Sequence, residues 1–232
     1  MKVSILIPAY NEEDNIRRTI QGIQTIPNRF SPNLDWQIIV IDDGSADNTL
    51  AQAAQCGVKT LRLSQNVGKG GALRHGLQQA NGDIILFLDA DLKESSADAH
   101  KLISPVINNQ AHVAIARFKP SRKPGGFGFV KALASGGVKF FTGQELTTVL
   151  SGQRAFKRQV LEDIGYIPDG YSLEVGMLID ILTKGYRVVE VDVDMYHDVT
   201  GRNLQGFIHR GKQFIDILKL LVNKLRERKA IA

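Results

Sequence analysis

The stretch IILFLDADLKES, residues 84–95, decides the fold class. Five apolar residues, Ile84 to Leu88, run straight into Asp89-Ala90-Asp91. A short continuous apolar run that ends on polar residues reads as a strand buried on both faces. Such strands belong to parallel sheets with helices on either side. Alternate residues of an extended chain project to one side, so Asp89 and Asp91 converge. Two carboxylates held close repel unless a cation or a shared proton lies between them.

The same punctuation repeats upstream. The run 3–7 breaks at Pro8, and IIVI (38–41) stops at Asp42-Asp43-Gly44. A further strand is read at 58–63. Between these runs, Ile16, Ile20 and Ile23 give 12–26 helical spacing, and 47–55 and 69–80 also read as helices. The alternation predicts an α/β fold, with a mostly parallel central sheet and helices on both faces. Ligands of such sheets gather beyond the carboxyl ends of the strands. The polar clusters 8–13, 42–45, 64–71 and 89–93 all fall there.

The second half is less regular. Residues 118–128, FKPSRKPGGFG, are basic and rich in Pro and Gly and read as a mobile loop. Helices are expected at 129–141 and 172–183 and a strand at 187–193. A final helix, 204–228, is amphipathic. Phe207, Phe214, Ile217, Leu218, Leu221, Val222 and Leu225 lie against Arg210, Lys212, Lys219, Lys224, Arg226 and Arg228. It reads either as a helix packed on the domain with a solvated basic face or as one lying on an anionic membrane. With no repeat and no linker, 1–232 is expected to be one domain.

The 232 residues are 43% hydrophobic and 23% charged, which excludes a disordered chain. No apolar run is long enough to span a bilayer. The net charge of +5 suits an anionic small ligand, an anionic membrane or nucleic acid. No nucleic-acid-binding motif or clustered aromatic platform accompanies it, so nucleic acid is not expected. Cys56 stands alone, so there is no internal disulfide. The N-terminus is unlike a signal peptide, and a cytoplasmic location is expected, peripheral at the membrane face if the last helix binds lipid.

Further groups suggest chemistry. Asp89 and Asp91 offer oxygen ligands of the kind that Mg²⁺ or Mn²⁺ takes, or they are loop aspartates, one of them a helix cap. Asp42-Asp43-Gly44-Ser45 offers a strand-end carboxylate to a base or a sugar hydroxyl, or is a tight turn and cap. Asn66-Val67-Gly68-Lys69-Gly70-Gly71 lacks the spacing of a Walker A loop. Its glycines still admit close approach to the backbone, and Lys69 can reach an anion. His197, with Arg202 behind it, offers an imidazole ligand and a phosphate partner, or is structural.

Four stretches together resemble glycosyltransferase family 2, the nucleotide-sugar transferases of GT-A fold: SILIPAYNEEDNI (4–16), IIVIDDGSADNT (38–49), NVGKGGALRHG (66–76) and GDIILFLDADL (82–92). They stand in the family's order and at its spacing, and the likeness is looser after residue 92. The chain is most similar to the dolichyl- or polyprenyl-phosphate mannosyl- and glucosyltransferases. The resemblance implies a nucleotide-sugar half, 1–116, and an acceptor half, 117–232. It implies Pro8, Tyr10 and Glu12 beside base and ribose, Asp43 on the base edge, Lys69 and Asp89 near base and ribose, and Asp91 on a Mg²⁺ or Mn²⁺ ion. LSGQRAF (150–156) is similar to the segment lining the acceptor side, with Arg154 facing phosphate, and Arg117 and Gln153 join the substrate-binding set. The stretch 196–211 is similar instead to transferases acting on soluble acceptors such as phosphoglycerate, which implies His197 as a metal ligand and Arg202 as a phosphate contact.

The implied activity is metal-dependent transfer of a hexose from a UDP- or GDP-sugar to a polyprenyl or dolichyl phosphate, or alternatively to a small hydroxyl compound. A hydroxyl acceptor requires a general base, for which Glu174 is the candidate. A sugar-phosphate nucleotidyltransferase is a further alternative. Pro8-Ala9-Tyr10-Asn11-Glu12 stands where those enzymes usually carry a glycine-rich opening, which counts against it.

Overall fold

The computed structural model describes residues 1–30, 34–119, 128–196 and 204–231, with the side chains of 204–210 and 229–231 outside that description. The strands are β1 (Lys2–Ala9), β2 (Asp35–Asp42), β3 (Lys59–Arg62), β4 (Ile84–Phe87), β5 (Val113–Phe118), β6 (Arg154–Lys157) and β7 (Val188–Val193). They form one seven-stranded sheet of order β3-β2-β1-β4-β6-β5-β7. The helices are α1 (Ile16–Gln24), α2 (Thr49–Ala54), α3 (Gly68–Gln79), α4 (His100–Ile107), α5 (Phe129–Thr142), α6 (Arg158–Ile164), α7 (Leu173–Thr183) and α8 (Leu204–Ile231).

The apolar run that ends at Asp89 supplies the central strand, β4. Ile84 and Leu86 enter the core on one face of the sheet, and Ile85 and Phe87 enter the core on the other. Helices α1, α2 and α4 cover the first face through Ile16, Ile20, Ala53 and Leu102. Helices α3, α5, α6, α7 and α8 cover the second through Leu73, Val138, Val160, Leu178 and Ile217. The mostly parallel α/β sheet is therefore as the alternation predicts.

One strand departs from it. β6 runs antiparallel to both neighbours, β4 and β5, and Arg154 pairs with Phe87 on one side and Ile115 on the other. The strand is fixed there by packing, since Phe87 and Phe156 lie with ring centroids 4.9 Å apart. Such a pair is worth about 0.5–1.5 kcal/mol beyond its buried area. The reversal brings the residues just before β6, 150–153, to the edge where the parallel strands end.

The expected helix 12–26 begins only at Ile16. The backbone of 11–13 is occupied otherwise: Asn11 N–H donates to Ser45 Oγ (2.9 Å), Glu12 N–H to Thr49 Oγ1 (2.7 Å) and Glu13 N–H to Asp47 Oδ2 (3.1 Å). These bonds sew the loop after β1 to the loop after β2. The mobile-loop reading of 118–128 falls mostly on 120–127, outside the described residues.

Candidate functional site

Strand periodicity places the site. Leu6, Ile41 and Phe87 face the core beneath α3 and α7. Two residues further on, Pro8, still within β1, and Asp43 and Asp89, beyond the ends of β2 and β4, continue that alternation. All three line a cleft of about 690 Å³, with Tyr10, Glu12 and Asp91 beside them. Gly68 and Lys69 enter it from the start of α3, Tyr171 from the turn before α7 and Glu174 from the first turn of α7. Four motifs far apart in sequence thus share one cavity.

Asp43 fixes one wall. Its two carboxylate oxygens accept from Val67 N–H and Gly68 N–H, both at 2.8 Å. This holds the turn into α3, where Gly68 has φ 78°, a conformation that favours glycine. Two positions on, Gly70 passes so close to the Pro168 carbonyl oxygen that a Cβ would overlap it. The close approach joins α3 to the loop before α7. Asp42 points inward instead and is fully buried. Its Oδ1 accepts from Ser45 N–H (3.1 Å), and Arg62 Nε stands 3.8 Å from Oδ2.

Lys69 joins the two sides of the cleft. Its ammonium lies 2.6 Å from Asp89 Oδ1 and 3.3 Å from Glu174 Oε1. Burial opposes the lysine's charge, and the two carboxylates outweigh burial, so the ammonium is held above the usual lysine range. Gln153 donates its amide to Asp89 Oδ2, so both oxygens of that aspartate are engaged. Gly152 passes over the cluster, and a Cβ there would overlap Lys69 Nζ.

Arg154 and Arg117 do not face this cleft. Arg154 is 1% exposed, and its guanidinium donates to three backbone carbonyls: Ser151 (2.8 Å), Glu174 (2.9 Å) and Val149 (3.0 Å). Burial pushes it down to about 10, with Glu174 opposing. A guanidinium committed to three carbonyls inside the protein is not placed to meet a phosphate. Arg117 stands at the outer end of β5 and forms a bidentate pair with Asp192 (2.5 and 2.8 Å). His197 and Arg202 lie outside the described residues.

Sequence reasoning passed over Tyr171 and Gln213, which also line the cleft. Tyr171 stands three residues before Glu174, which was the available signal. Gln213 lies on α8, and nothing local marks it. That helix packs inward through Ile217 and Leu221, with Lys224 Nζ 2.5 Å from Asp180 Oδ1. Its outward side shows Ile215, Leu218 and Val222. Among the described residues no helix is long and apolar enough to cross a membrane.

The donor chemistry fits a divalent ion. Mg²⁺ takes oxygen ligands, keeps several waters and needs only one or two protein carboxylates. Asp89 and Asp91 both line the cleft, and Asp89 also meets Lys69 and Gln153. These two carboxylates are the ones there that could hold the ion. Among the described residues no three His, Cys, Asp or Glu side chains gather around one point.

Comparison with known proteins agrees with this geometry. A dolichol-phosphate mannosyltransferase of Pyrococcus furiosus is 31% identical over 205 residues, covering 82% of this chain, which spans only 55% of that protein's length. A glucosyl-3-phosphoglycerate synthase of Petrotoga mobilis is 30% identical over 245 residues, covering 98% of this chain and 74% of the relative. The crystal structure of the Mycobacterium tuberculosis glucosyl-3-phosphoglycerate synthase, in complex with Mn²⁺, UDP and phosphoglyceric acid, superposes with a TM-score of 0.76. It shares 25% identity and covers 96% of this chain and 78% of its own. The sheet is thus of the GT-A type. The model of glycosyl transferase family 2 matches residues 4–165, well over half of the sequence and all four of the motifs that meet at the cleft, and the chain belongs to that family.

Proposed function

We propose that the chain transfers a hexose from a UDP- or GDP-linked sugar to an acceptor in a reaction that uses Mg²⁺ or Mn²⁺. The observation that carries this reading is the convergence of Pro8, Tyr10, Glu12, Asp43, Lys69, Asp89 and Asp91 on one cleft. Residues 1–116 supply the nucleotide-sugar side and 117–232 the acceptor side. A bound divalent ion neutralises charge that develops on the departing diphosphate. Asp91 would hold it, with His197 as the second ligand and Arg202 meeting a phosphate, as the family resemblance implies. Lys69, paired with Asp89 and Glu174, holds these two carboxylates in place beside the donor.

The acceptor is a polyprenyl or dolichyl phosphate, the class named for the Pyrococcus relative. A phosphate acceptor is already ionised and needs no base. A lipid acceptor would be met at the membrane surface, and the exposed Ile215, Leu218, Val222, Lys219 and Arg226 of α8 are the residues we propose for that contact. A second reading, transfer to a phosphoglycerate-type hydroxyl, is supported by the fold likeness to the glucosyl-3-phosphoglycerate synthase. There Glu174, in contact with Lys69, is the carboxylate that takes the proton. The test supplies UDP-glucose or GDP-mannose with Mn²⁺ and either acceptor. Product on the lipid phosphate is expected. Product on phosphoglycerate alone selects the second reading, and absence of nucleotide-sugar binding in every condition defeats both.

Gly152→Ala probes the wall. The new methyl overlaps Lys69 Nζ, the mobile end of its side chain, so the lysine moves off Asp89 and the fold stays intact. Transfer is expected to fall about tenfold, as for loss of one stabilising charge contact, with little change in melting temperature. Undiminished transfer would show that the Lys69–Asp89 contact does not matter.

A further inference from the structure

We propose that Glu190 and Arg154 are positioning residues that clamp the segment 147–153 from opposite ends, and that this clamp sets binding of the acceptor. The proposal rests on the transferase reading.

The grip at the start of the segment comes from β7. Glu190 Oε1 accepts from Thr148 N–H (2.6 Å), Thr147 N–H (2.7 Å) and Thr148 Oγ1 (2.7 Å). Thr147 Oγ1 donates to the same carboxylate, at 3.0 Å from Oε2. The Glu190 side chain is 12% exposed. Burial raises such a carboxyl, and the donors of Thr148 and Thr147 outweigh it, so the group stays ionised below the usual glutamate range. The grip at the other end is Arg154, whose fork ties the Val149 and Ser151 carbonyls to that of Glu174. Between the two grips the backbone has little freedom to choose another path. Gly152 then passes over Lys69, and Gln153 reaches Asp89.

The clamped segment is a wall with two sides. Leu150 and Gly152 line the main cleft, and they also line a second recess of about 320 Å³ together with Thr147, Thr148 and Ser151. Asp89 borders both spaces. On the transferase reading, an acceptor held in the recess would lie against this wall. Glu190 and Arg154 line neither space, so they act on the reaction only through the segment they hold. A displacement of a reactive group by a single ångström is enough to cost a large factor in rate. Many charge-assisted hydrogen bonds on so few residues give that precision.

The experiment compares Glu190→Ala and Glu190→Gln with the unmutated chain, in Mn²⁺ with nucleotide sugar and acceptor. Nucleotide-sugar affinity is read separately by calorimetry. Glu190→Ala is expected to raise the acceptor KM about tenfold and to leave nucleotide-sugar affinity within about twofold. Glu190→Gln keeps an accepting oxygen for Thr148 and restores most of the loss. An unchanged acceptor KM, or equal losses towards both substrates, overturns the clamp. Where Glu190→Ala does not fold, Thr148→Val, which removes one hydroxyl from the grip, carries the same test with about a threefold rise in acceptor KM. Failure of the unmutated chain to bind nucleotide sugar defeats the transferase reading itself. Transfer by the unmutated chain with no KM change in the variants defeats the clamp alone.

Discussion

Asp91→Asn is expected to lower sugar transfer by about 10³-fold while leaving the fold intact, because loss of a preorganised charge at a developing anion costs on the order of 10²–10³ in rate. The two aspartates differ in what surrounds them. Both line the cleft, and Asp89 has in addition Lys69 on one oxygen and Gln153 on the other. Asparagine keeps the volume and removes the charge that a divalent ion requires. Mn²⁺ binding, followed by calorimetry without any acceptor, is expected to weaken together with transfer. Retention of more than about a tenth of the rate would mean that Asp91 is not the metal carboxylate. Asp89→Asn serves as the contrast, since it should disturb Lys69 and Gln153 first and the ion only through them.

The second large effect is on stability. Arg154→Met fills similar space and removes the donors of the Val149, Ser151 and Glu174 carbonyls. The Glu174 carbonyl keeps its place in the hydrogen bonding of α7, while the Val149 and Ser151 carbonyls each lose a donor at about 1–3 kcal/mol, partly offset because a buried cation is no longer desolvated. A net loss of about 3 kcal/mol follows, which for a domain of this size lowers the melting temperature by roughly 6–12 °C. Thermal unfolding followed by circular dichroism measures it. A shift of less than about 2 °C would show that water replaces the guanidinium. Arg154→Lys should fall between, because an ammonium is a point donor without the planar fork.

Arg154 marks the point where sequence reading stops. Residue type announces a cation, and resemblance places it on the acceptor side. Which partner it meets depends on three carbonyls, one of them 20 positions away in α7. Lys69 and Glu174 stand 105 positions apart, and no local pattern could pair them. β6 is four residues long, too short for its composition to encode a direction. It runs antiparallel between β4 and β5, and Phe156 packs on Phe87 of β4 there. That reversal is what carries Gly152 and Gln153 to Asp89.

The features legible in the chain alone are local and periodic. Apolar runs closed by Asp42-Asp43 and by Asp89 mark two strand ends, β1 runs on through the expected break at Pro8 to Ala9, and the period of two aims Pro8, Asp43 and Asp89 towards one side. Those signals depend only on neighbours along the chain, so the sheet and the edge bearing the site can be read from residue order. Folding in three dimensions settles the rest: that Arg154 turns inward, that Lys69 bridges Asp89 and Glu174, and that Glu190 grips Thr147 and Thr148. Each is a choice of partner between charged or polar groups distant in sequence. Such choices are settled by distance and desolvation in the folded chain, which spacing along the sequence does not record.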